Sequence, residues 1–430
     1  MLRDRGSSRR RPVTRESSGR ARSCPTHHSH AAIPLPDSRP GIARTRVQSR
    51  PYPNSKELYM EDVVVIGAGF AGLACAQSAA RRGLRVMVLE RKPAIGSRVH
   101  TTGLLVKEAA EDWEVPARLT RKIHGVRLYA PSLAHIDLDS PGYYFLATDT
   151  SALLRWFARE AQRTGAVIIP GRPYAGAYRE ANTVTLVDSP LRCRYLVGAD
   201  GPRSAVARDF GLGTNREVLS GIEVELQGVR GVDEDRLHCF LDSELAPGYL
   251  GWVVPGVGGI TQIGLACRRP FHPNLRVFRR KLESLFDFSQ AEVVGRRGGL
   301  IPVSGTVHPF GTQGVILAGD AAGLVSPLTA GGIHSALESG WRTGHAIADY
   351  LLDAGVEPHR AVAARYRTPL WKRWLRRAFD RDVPNGVYEW ALQTRALQTA
   401  AQLVYFHKRG PLSAAAWHDV RRTHGQRVLA

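Results

Sequence analysis

The chain has 430 residues, 43% of them hydrophobic, and a formal net charge of +20. Residues 1–59 and 359–430 together hold 27 of the 59 basic residues but only 8 of the 39 acidic ones, so the body of the chain is nearly neutral. A basic stripe across the fold, which specific nucleic-acid binding would require, is therefore not expected. No run of 18 apolar residues occurs, so we expect no membrane-spanning helix.

The first 59 residues are rich in Arg, Ser and Pro and show little apolar periodicity. Such a segment buries too little surface to offset its chain entropy, so we predict a disordered basic extension. An organelle leader is one interpretation, and our preferred one is that Met60 is the natural start. The five cysteines have neither metal-ligand nor redox spacing, so we predict no metal site and the reduced, mostly buried thiols of a cytoplasmic protein.

The first predicted element is an apolar strand, residues 63–66, that runs into a glycine-rich turn and an Ala-rich helix. In this turn Gly67 permits a tight bend, Gly69 lets the backbone approach a pyrophosphate, and Gly72 lets the helix pack closely on the strand. A second strand ends about 20 residues later in Glu90, where an acid binds ribose hydroxyls. The agreement of strand, helix and acid predicts an adenine dinucleotide site and disfavours glycines that serve helix packing alone.

The next segments predict a loop and then a second region of sheet. Arg98, a few residues beyond Glu90, is either a contact to the dinucleotide phosphates or a solvated loop charge. His100–Leu105 offers small and polar residues that could line a flavin ring, and residues 123–146 alternate in short strand-like runs. Ser151–Thr164 has the apolar periodicity of an amphipathic helix.

A buried strand at residues 194–198 leads into the turn Gly198–Ser204, which contains Asp200 and Gly201. An Asp-Gly pair is by itself an ordinary turn. Its position at the carboxyl end of a strand, where open α/β sheets bind ligands, favours a functional interpretation.

From Ile222 to Arg268 the alternation predicts a mostly antiparallel sheet. Within it, Pro247–Pro255 has the pattern of a glycine-spaced aromatic strand. Tyr249 and Trp252 in this strand could cover a flat or apolar ligand, although aromatic strand residues are more often plain core.

The richest motif starts with a strand that ends at Gly319 and Asp320. A loop containing Pro327 then leads through Gly331 and Gly332 into a helix of about residues 334–352. An acid between glycines at a strand end can bind a polyol hydroxyl, and backbone amides at a helix start can face an electron-rich ring. A reduced flavin has these needs, because its pyrimidine edge gains negative charge.

The segment 370–379 predicts a basic amphipathic helix. Its apolar face carries Leu370, Trp371, Trp374, Leu375, Ala378 and Phe379, and its basic face carries Lys372, Arg373, Arg376 and Arg377. One interpretation places this helix on an anionic membrane surface. The other, which we prefer, docks it on the body of the protein with a solvated basic face.

Three motifs in this order resemble the two-dinucleotide-binding-domain flavoproteins of the aromatic hydroxylase and geranylgeranyl reductase superfamily. They are the glycine fingerprint with Glu90, the Gly198–Ser204 turn and the Gly319–Gly323 segment. The resemblance spans about residues 60–355 and implies FAD as the cofactor. It also implies a Rossmann-like FAD-binding domain, mostly parallel, with an inserted, mostly antiparallel β substrate domain and a C-terminal helical segment.

The third motif looks more like geranylgeranyl reductases than aromatic hydroxylases, which usually carry His directly after the Ala-Ala pair. Reductases of this group also have a Pro-x-x-Tyr-x-Trp-x-Phe-Pro substrate motif. Its counterpart here keeps Trp252 and both prolines, with Leu250 at the Tyr position and Val254 at the Phe position. The resemblance thus implies reduction of a carbon–carbon double bond in an isoprenoid or similarly apolar substrate, with NAD(P)H or reduced ferredoxin as electron donor.

The sequence leaves two other functions open, a flavin-dependent monooxygenase of an aromatic or polyketide-like substrate and a non-catalytic flavin-containing membrane or nucleic-acid binder. No side chain is a convincing general acid, and His334 and His100 are weak catalytic candidates.

We expect a cytoplasmic protein. Peripheral membrane association through the C-terminal helix is a further hypothesis, and the oligomeric state is open. The predicted cofactor-binding residues are Gly67, Gly69, Phe70, Ala71, Gly72, Glu90, Arg91, Arg98, Asp200, Gly201, Gly319, Asp320, Pro327, Gly331, Gly332 and Ile333, and the predicted substrate-binding residues are Tyr249 and Trp252.

The predicted domains follow from the same motifs. The FAD-binding domain comprises residues 60–105, 147–215 and 300–357, the substrate domain 106–146 and 216–299, and the C-terminal helical segment 358–430, after the basic extension 1–59.

Overall fold

The computed structural model describes residues 59–366, 368–381 and 383–406. The predicted basic extension, apart from Tyr59, and the end of the chain from residue 407 lie outside the described residues. The strands are β1 Tyr59–Ile66, β2 Val86–Glu90, β3 Leu104–Val106, β4 Thr120–Ile123, β5 Gly125–Tyr129, β6 His135–Asp139, β7 Phe145–Thr148, β8 Val167–Pro170, β9 Ala177–Glu180, β10 Thr183–Leu186, β11 Leu191–Gly198, β12 Val218–Gln227, β13 Arg236–Phe240, β14 Gly251–Pro255, β15 Ile260–Arg268, β16 Glu292–Pro302, β17 Gly311–Thr312 and β18 Val315–Leu317. The helices are α1 Phe70–Arg81, α2 Lys107–Trp113, α3 Thr150–Arg163, α4 Ala205–Asp209, α5 Leu275–Leu282, α6 Ile333–Asp353, α7 Pro358–Ala363, α8 Leu370–Phe379, α9 Asn385–Leu392 and α10 Arg395–Tyr405.

Strand β1 lies inside an eight-stranded sheet whose main path is β17-β18-β11-β1-β2-β8, with β9 and β10 attached through β11. It pairs in parallel with β11 on one side and with β2 on the other. The chain leaves β1 towards β2 and returns later on the opposite side, so the strand order reverses at β1. The carboxyl edge of a parallel sheet at such a switch point is where ligands bind.

Helices α1 and α6 pack closely because glycine lines their contact. A Cβ atom at Gly340 would overlap the backbone of Ala71, and one at Gly344 would overlap the carbonyl oxygen of Cys75. A Cβ atom at Gly319, which follows β18, would lie 2.7 Å from the Cβ atom of Ala71. The first residues of both helices line one cavity as a result of this approach.

A second sheet of seven strands has the order β16-β12-β15-β14-β13-β5-β6. All its pairs are antiparallel except β5 with β13, which run in parallel. One of its faces packs on α5 through Phe278 and Leu282, and an apolar cluster of β5, β13 and β14 contacts Leu392 and Ala401 of the C-terminal helices. A third sheet, β3-β7-β4, completes the fold.

These elements confirm the predicted fold class, a mostly parallel sheet with helices, a mostly antiparallel second sheet and C-terminal helices. The predicted domain bounds stay a prediction. Cys75, Cys193, Cys239 and Cys267 are free and buried, as expected, and Cys24 lies outside the described residues. Within the described ranges, none of the helices combines the length and apolar character needed to cross a bilayer.

Two sequence predictions need correction. The strand predicted over Pro247–Pro255 begins only at Gly251, because Gly248 adopts φ +75° in a turn and places Tyr249 before the strand. Strand β16 was missed, because its run of Gly295, Gly298 and Gly299 lacks the β-branched alternation that marks a strand.

Candidate active site

A single cavity of about 1500 Å³ lies between the two large sheets and the C-terminal helices. Its wall includes the first residues of α1 and α6, the Asp200 turn, strands β12 and β14 and helices α8 to α10. The predicted residues that line it are Gly69, Phe70, Ala71, Arg91, His100, Asp200, Gly201, Tyr249, Trp252, Asp320, Pro327, Gly331, Gly332, Ile333 and His334. Gly67, Gly72, Glu90, Arg98 and Gly319 lie outside this wall.

The three glycines of the fingerprint have three different environments. Gly67 has φ +104° and lies so close to β11 that a Cβ atom would overlap the carbonyl oxygen of Ala199. A Cβ atom at Gly72 would overlap the carbonyl oxygen of Gly67, so the helix can pack on the turn only without one. Around Gly69 no heavy atom of the described residues lies within 4 Å of the Cβ position, so the backbone there is open to the cavity.

Glu90 is buried at the end of β2 and supports the turn from behind. Its Oε2 accepts a hydrogen bond from the Ala68 amide at 2.8 Å, and its Oε1 accepts one from the Lys92 amide at 2.9 Å. The carboxylate is therefore fixed next to the Gly67–Gly69 turn. Its contact with a ribose stays a prediction.

The loop before α6 is the second place where the backbone is exposed to the cavity. Gly332 is the N-cap of α6, and among the described residues no side chain caps this helix. The same holds for α1, whose N-cap is Gly69. The Tyr249 hydroxyl donates to the carbonyl oxygen of Thr329 at 2.6 Å and so ties this loop to the second sheet. Two uncapped helix ends, each with amides and a favourable dipole, thus face one cavity.

Asp320 lies beside the start of α6, with Oδ1 3.5 Å from the Cβ position of Gly332. Burial raises the pKa of this carboxyl group to about 6. The Nδ2 amide of Asn215 donates to the backbone oxygen of Asp320 at 2.8 Å and to that of Pro202 at 3.1 Å. Asn215 therefore joins the second and third motifs, a link that the sequence did not reveal.

The two carboxylate oxygens of Asp200 have different environments. Its Oδ2 accepts hydrogen bonds from the Ala205 and Val206 amides at 2.7 and 3.2 Å, which holds the start of α4. Its Oδ1 is buried and has no hydrogen-bond partner within the described part of the chain. Asp200 therefore holds the start of α4 with one oxygen and offers the other as a hydrogen-bond acceptor at the cavity wall.

Of the remaining predicted residues, Arg91 lies at the cavity wall, whereas Arg98 is exposed in the loop with φ +47°. His100 Nδ1 is 2.7 Å from the carbonyl oxygen of Gly298 and must donate to it. Burial lowers the pKa of this imidazole, so it is neutral near neutral pH and a poor acid. His334 Nε2 lies 3.5 Å from Asp112 Oδ2.

Sequence reasoning missed a buried polar cluster around Glu223 in β12. The Trp252 indole N–H and the Thr102 hydroxyl both donate to Glu223 Oε2 at 2.7 Å. Trp252 reaches it from β14 by crossing over Gly264 of β15, where a Cβ atom would overlap the indole ring. The only signal in the sequence was an acid within an alternating strand, which normally indicates a solvated face.

Helix α8 forms part of the cavity wall, but its faces differ from the prediction. Arg376 is 2% exposed, and its guanidinium donates to both carboxylate oxygens of Asp380 at 2.6 and 3.1 Å. It also donates to the carbonyl oxygen of Gly248 at 2.5 Å. The predicted solvated basic face is wrong at this position, because these acceptors satisfy the buried charge.

Part of the apolar face of α8 points outwards, although Leu375, Ala378 and Phe379 line the cavity. Leu370 and Trp374 are 77% and 74% exposed, and Trp371 is also largely exposed. Trp390 of α9 and Leu403 of α10 are also largely exposed.

The residues present fit an FAD molecule. Gly69 leaves room for a pyrophosphate at the end of α1, and the uncapped start of α6 suits the electron-rich edge of a flavin. Asp200 Oδ1 and the Asp320 carboxylate supply acceptors for hydroxyl groups between these two ends.

Known proteins share both the fold and the sequence pattern. A family model described as FAD dependent oxidoreductase matches residues 62–166. Digeranylgeranylglycerophospholipid reductase of Methanothrix thermoacetophila is 30% identical over 339 residues, which cover 73% of this chain and 85% of the relative.

Two solved structures show the same fold. A geranylgeranyl bacteriochlorophyll reductase-like protein from Thermoplasma acidophilum gives a TM-score of 0.72 at 22% identity and covers 82% of this chain and 98% of its own. Aklavinone-11 hydroxylase, solved in a ternary complex with FAD and aklavinone, gives 0.54 at 22% identity and covers 68% and 62%.

The switch-point turn, the two open helix ends and the shared cavity define a dinucleotide-binding flavoprotein with oxidoreductase activity. FAD is its cofactor. Within that class, the identity and coverage shared with the archaeal relative show that the chain belongs to the geranylgeranyl reductase family of FAD-dependent oxidoreductases.

Proposed function

We propose that this protein reduces carbon–carbon double bonds in the prenyl chain of an isoprenoid lipid. The supporting observation is that the cavity beside Gly69 and Gly332 continues without interruption into an apolar chamber. Side chains from β5, β7, β13, β14 and α10 line that chamber, among them Leu128, Phe145, Leu237, Val254, Leu397 and Val404. The archaeal relative is named for reduction of a digeranylgeranyl lipid, which is a substrate of this chemical kind.

In this proposal Gly67, Gly69, Phe70, Ala71 and Gly72 position the pyrophosphate of FAD. Glu90, Arg91, Asp200, Gly201, Gly319 and Asp320 surround its adenosine and ribityl portions, and Pro327, Gly331, Gly332 and Ile333 face its pyrimidine edge. Bound FAD, once reduced by NAD(P)H or reduced ferredoxin, supplies a hydride. Tyr249 and Trp252 hold the prenyl chain beside the ring. Arg98 is left out of this set, because it is exposed and away from the cavity wall.

We further propose that the C-terminal helices rest on a lipid surface. Leu370, Trp371, Trp374, Trp390 and Leu403 are exposed apolar residues of helices whose other residues line the cavity. Helix α8 also carries the exposed basic residues Arg373 and Arg377, which suit anionic headgroups. A prenyl lipid would then pass from the bilayer into the cavity without crossing water.

Anaerobic reoxidation of the reduced enzyme tests the proposed reaction. The full chain would be purified with FAD, reduced chemically without air and mixed with prenyl lipids or with aromatic compounds. We expect flavin absorbance to return only with prenyl lipids, and the product to gain two hydrogens. A product that forms only when oxygen is admitted would instead establish a monooxygenase, and a purified chain without a yellow chromophore would exclude both.

A further inference from the structure

Reduction of an alkene needs a proton as well as a hydride, and the cavity wall contains one carboxyl group placed to supply it. Glu223 is 4% exposed and yet lines the cavity. Its Oε2 already accepts two hydrogen bonds, from Trp252 and Thr102. Its Oε1 has no hydrogen-bond partner among the residues that the structure describes.

Glu223 shares its neighbouring cation with a second carboxylate. Arg297 is the cation beside it on β16, with Nη1 3.6 Å from Glu223 Oε1. The other guanidinium nitrogen, Nη2, forms a close ion pair with Glu225. Nη1 donates to the carbonyl oxygens of Thr101 and Thr102 at 2.8 and 3.1 Å. One positive charge therefore faces two carboxylates and is bound more closely by Glu225.

Burial raises the pKa of Glu223, and the charge of Glu225 adds to the rise, whereas Arg297 and the hydrogen bonds from Thr102 and Trp252 oppose it. If the group is neutral, its proton must be on Oε1, because Oε2 is occupied by two donors. Trp252, which donates to the carboxyl group, also packs with Tyr249 and Ala330 next to the Gly331–Gly332 loop. Glu223 is thus a wall residue of the part of the cavity where the proposed substrate and flavin ring would meet.

We propose that Glu223 is the proton donor in alkene reduction, held in place by Trp252 and Thr102. This inference rests on the proposed function. The O–H bond at Oε1 breaks and a C–H bond forms at one alkene carbon, while the hydride from reduced FAD forms the second C–H bond at the neighbouring carbon. The carboxylate then recovers a proton from water, and the two electrons come from NAD(P)H or reduced ferredoxin.

The kinetic test compares Glu223→Gln with wild type in anaerobic reoxidation. The amide can still accept from Trp252 and Thr102 but cannot give up a proton. We expect chemical reduction of bound FAD to be unchanged and reoxidation by prenyl lipid to slow by roughly 100- to 10,000-fold. Glu61→Gln is the matched control, because Glu61 is equally buried but lies on β1 away from the cavity wall, and it should reoxidise like wild type.

A second test needs no turnover. Infrared spectra of the resting protein, labelled with carbon-13 glutamate, should show a protonated carboxylic acid near neutral pH that Glu223→Gln removes and Glu61→Gln keeps. In Glu225→Gln the guanidinium of Arg297 loses its closer partner, so the acid signal of Glu223 should titrate at lower pH.

The outcomes separate the two proposals. If wild type is not reoxidised by any prenyl lipid, the proposed function fails, and the infrared signal still decides whether Glu223 holds a proton. If wild type is reoxidised and Glu223→Gln is equally fast, the proton donor is another group. Absence of an acid signal that depends on Glu223 would overturn the inference by itself.

Discussion

Gly69 and Gly72 lie three residues apart, and at the scale of single residues the same added methyl group should act differently at each. At Gly72 a Cβ atom would overlap the Gly67 carbonyl oxygen and lie 3.2 Å from Val65. At Gly69 the backbone has φ −80°, which any residue adopts, and the Cβ atom would enter open space. Gly72 therefore controls the packing of the helix, and Gly69 controls access to the backbone from the cavity.

We therefore expect Gly72→Ala to destabilise the FAD-free protein by about 1–3 kcal/mol through overpacking. Gly69→Ala should leave the melting temperature of the FAD-free protein nearly unchanged and weaken FAD binding by about tenfold or more, roughly 1.4 kcal/mol. Thermal unfolding and FAD titration measure the two effects. Normal FAD affinity in Gly69→Ala would show that the pyrophosphate does not approach the backbone there.

Asp320 has a pH dependence whose sign follows from its environment. Its pKa of about 6 in the folded protein lies above the roughly 3.9 of an unfolded Asp. The stability linked to its proton is therefore complete below about pH 4 and is lost as the pH rises through 6. Above pH 6 the buried carboxylate destabilises the FAD-free fold.

Asp320→Asn removes this charge, so the FAD-free variant should melt at a higher temperature than wild type at pH 8, by about 1–3 kcal/mol of unfolding free energy. At pH 4 the difference should vanish, whereas FAD affinity at pH 8 should fall because the charged acceptor is gone. Asp353→Asn, at the exposed end of α6, is the control and should change little at either pH. Equal stability of Asp320→Asn and wild type at pH 8 would contradict a buried, ionised Asp320.

At the scale of elements, the sequence predicted where the helices lie along the chain better than which face of a helix packs on the body. The positions of α1 and α6 were predicted to within a residue or two, because strand, turn and helix follow one another within the motif. The orientation of α8 was not, because the carbonyl oxygen of Gly248 in the body accepts from Arg376, so Arg376 faces inwards and the tryptophans face outwards. Helical periodicity identifies two faces and does not say which one the body covers.

The outward tryptophans lead to a membrane-binding prediction. Replacement of both Trp371 and Trp374 by Ser should reduce binding of the full chain to anionic lipid vesicles by about tenfold, since two large side chains leave the interface. Co-sedimentation with the vesicles measures this. A matched variant with Ser at the exposed Tyr178 and Phe271, outside the C-terminal helices, should bind like wild type. Equal binding of both variants would place the lipid contact elsewhere.

At the scale of the whole molecule, the cavity belongs to no single part of the chain. The end beside Gly69 and Gly332 comes from the eight-stranded sheet with α1 and α6, the apolar chamber from the seven-stranded sheet, and the outer wall from α8 to α10. Tyr249 joins the first two parts by a hydrogen bond to the carbonyl oxygen of Thr329, and Asn215 links the Pro202 turn to Asp320 within the first part. In the proposed function, catalysis at one end and substrate entry at the other would therefore depend on contacts between distant segments.

The sequence alone determined the fold class, the dinucleotide turn and the three motifs at strand ends, because each depends on residue types that are neighbours in the chain. Only the tertiary structure decided that Glu223 is buried, that Trp252 crosses Gly264 to reach it, and that Arg376 faces inwards. Thr102 and Trp252 satisfy Glu223, and the carbonyl oxygen of Gly248 helps to satisfy Arg376, although all three lie far away along the chain. No local pattern records such a partner, since hydrogen bonding and burial are properties of the assembled fold.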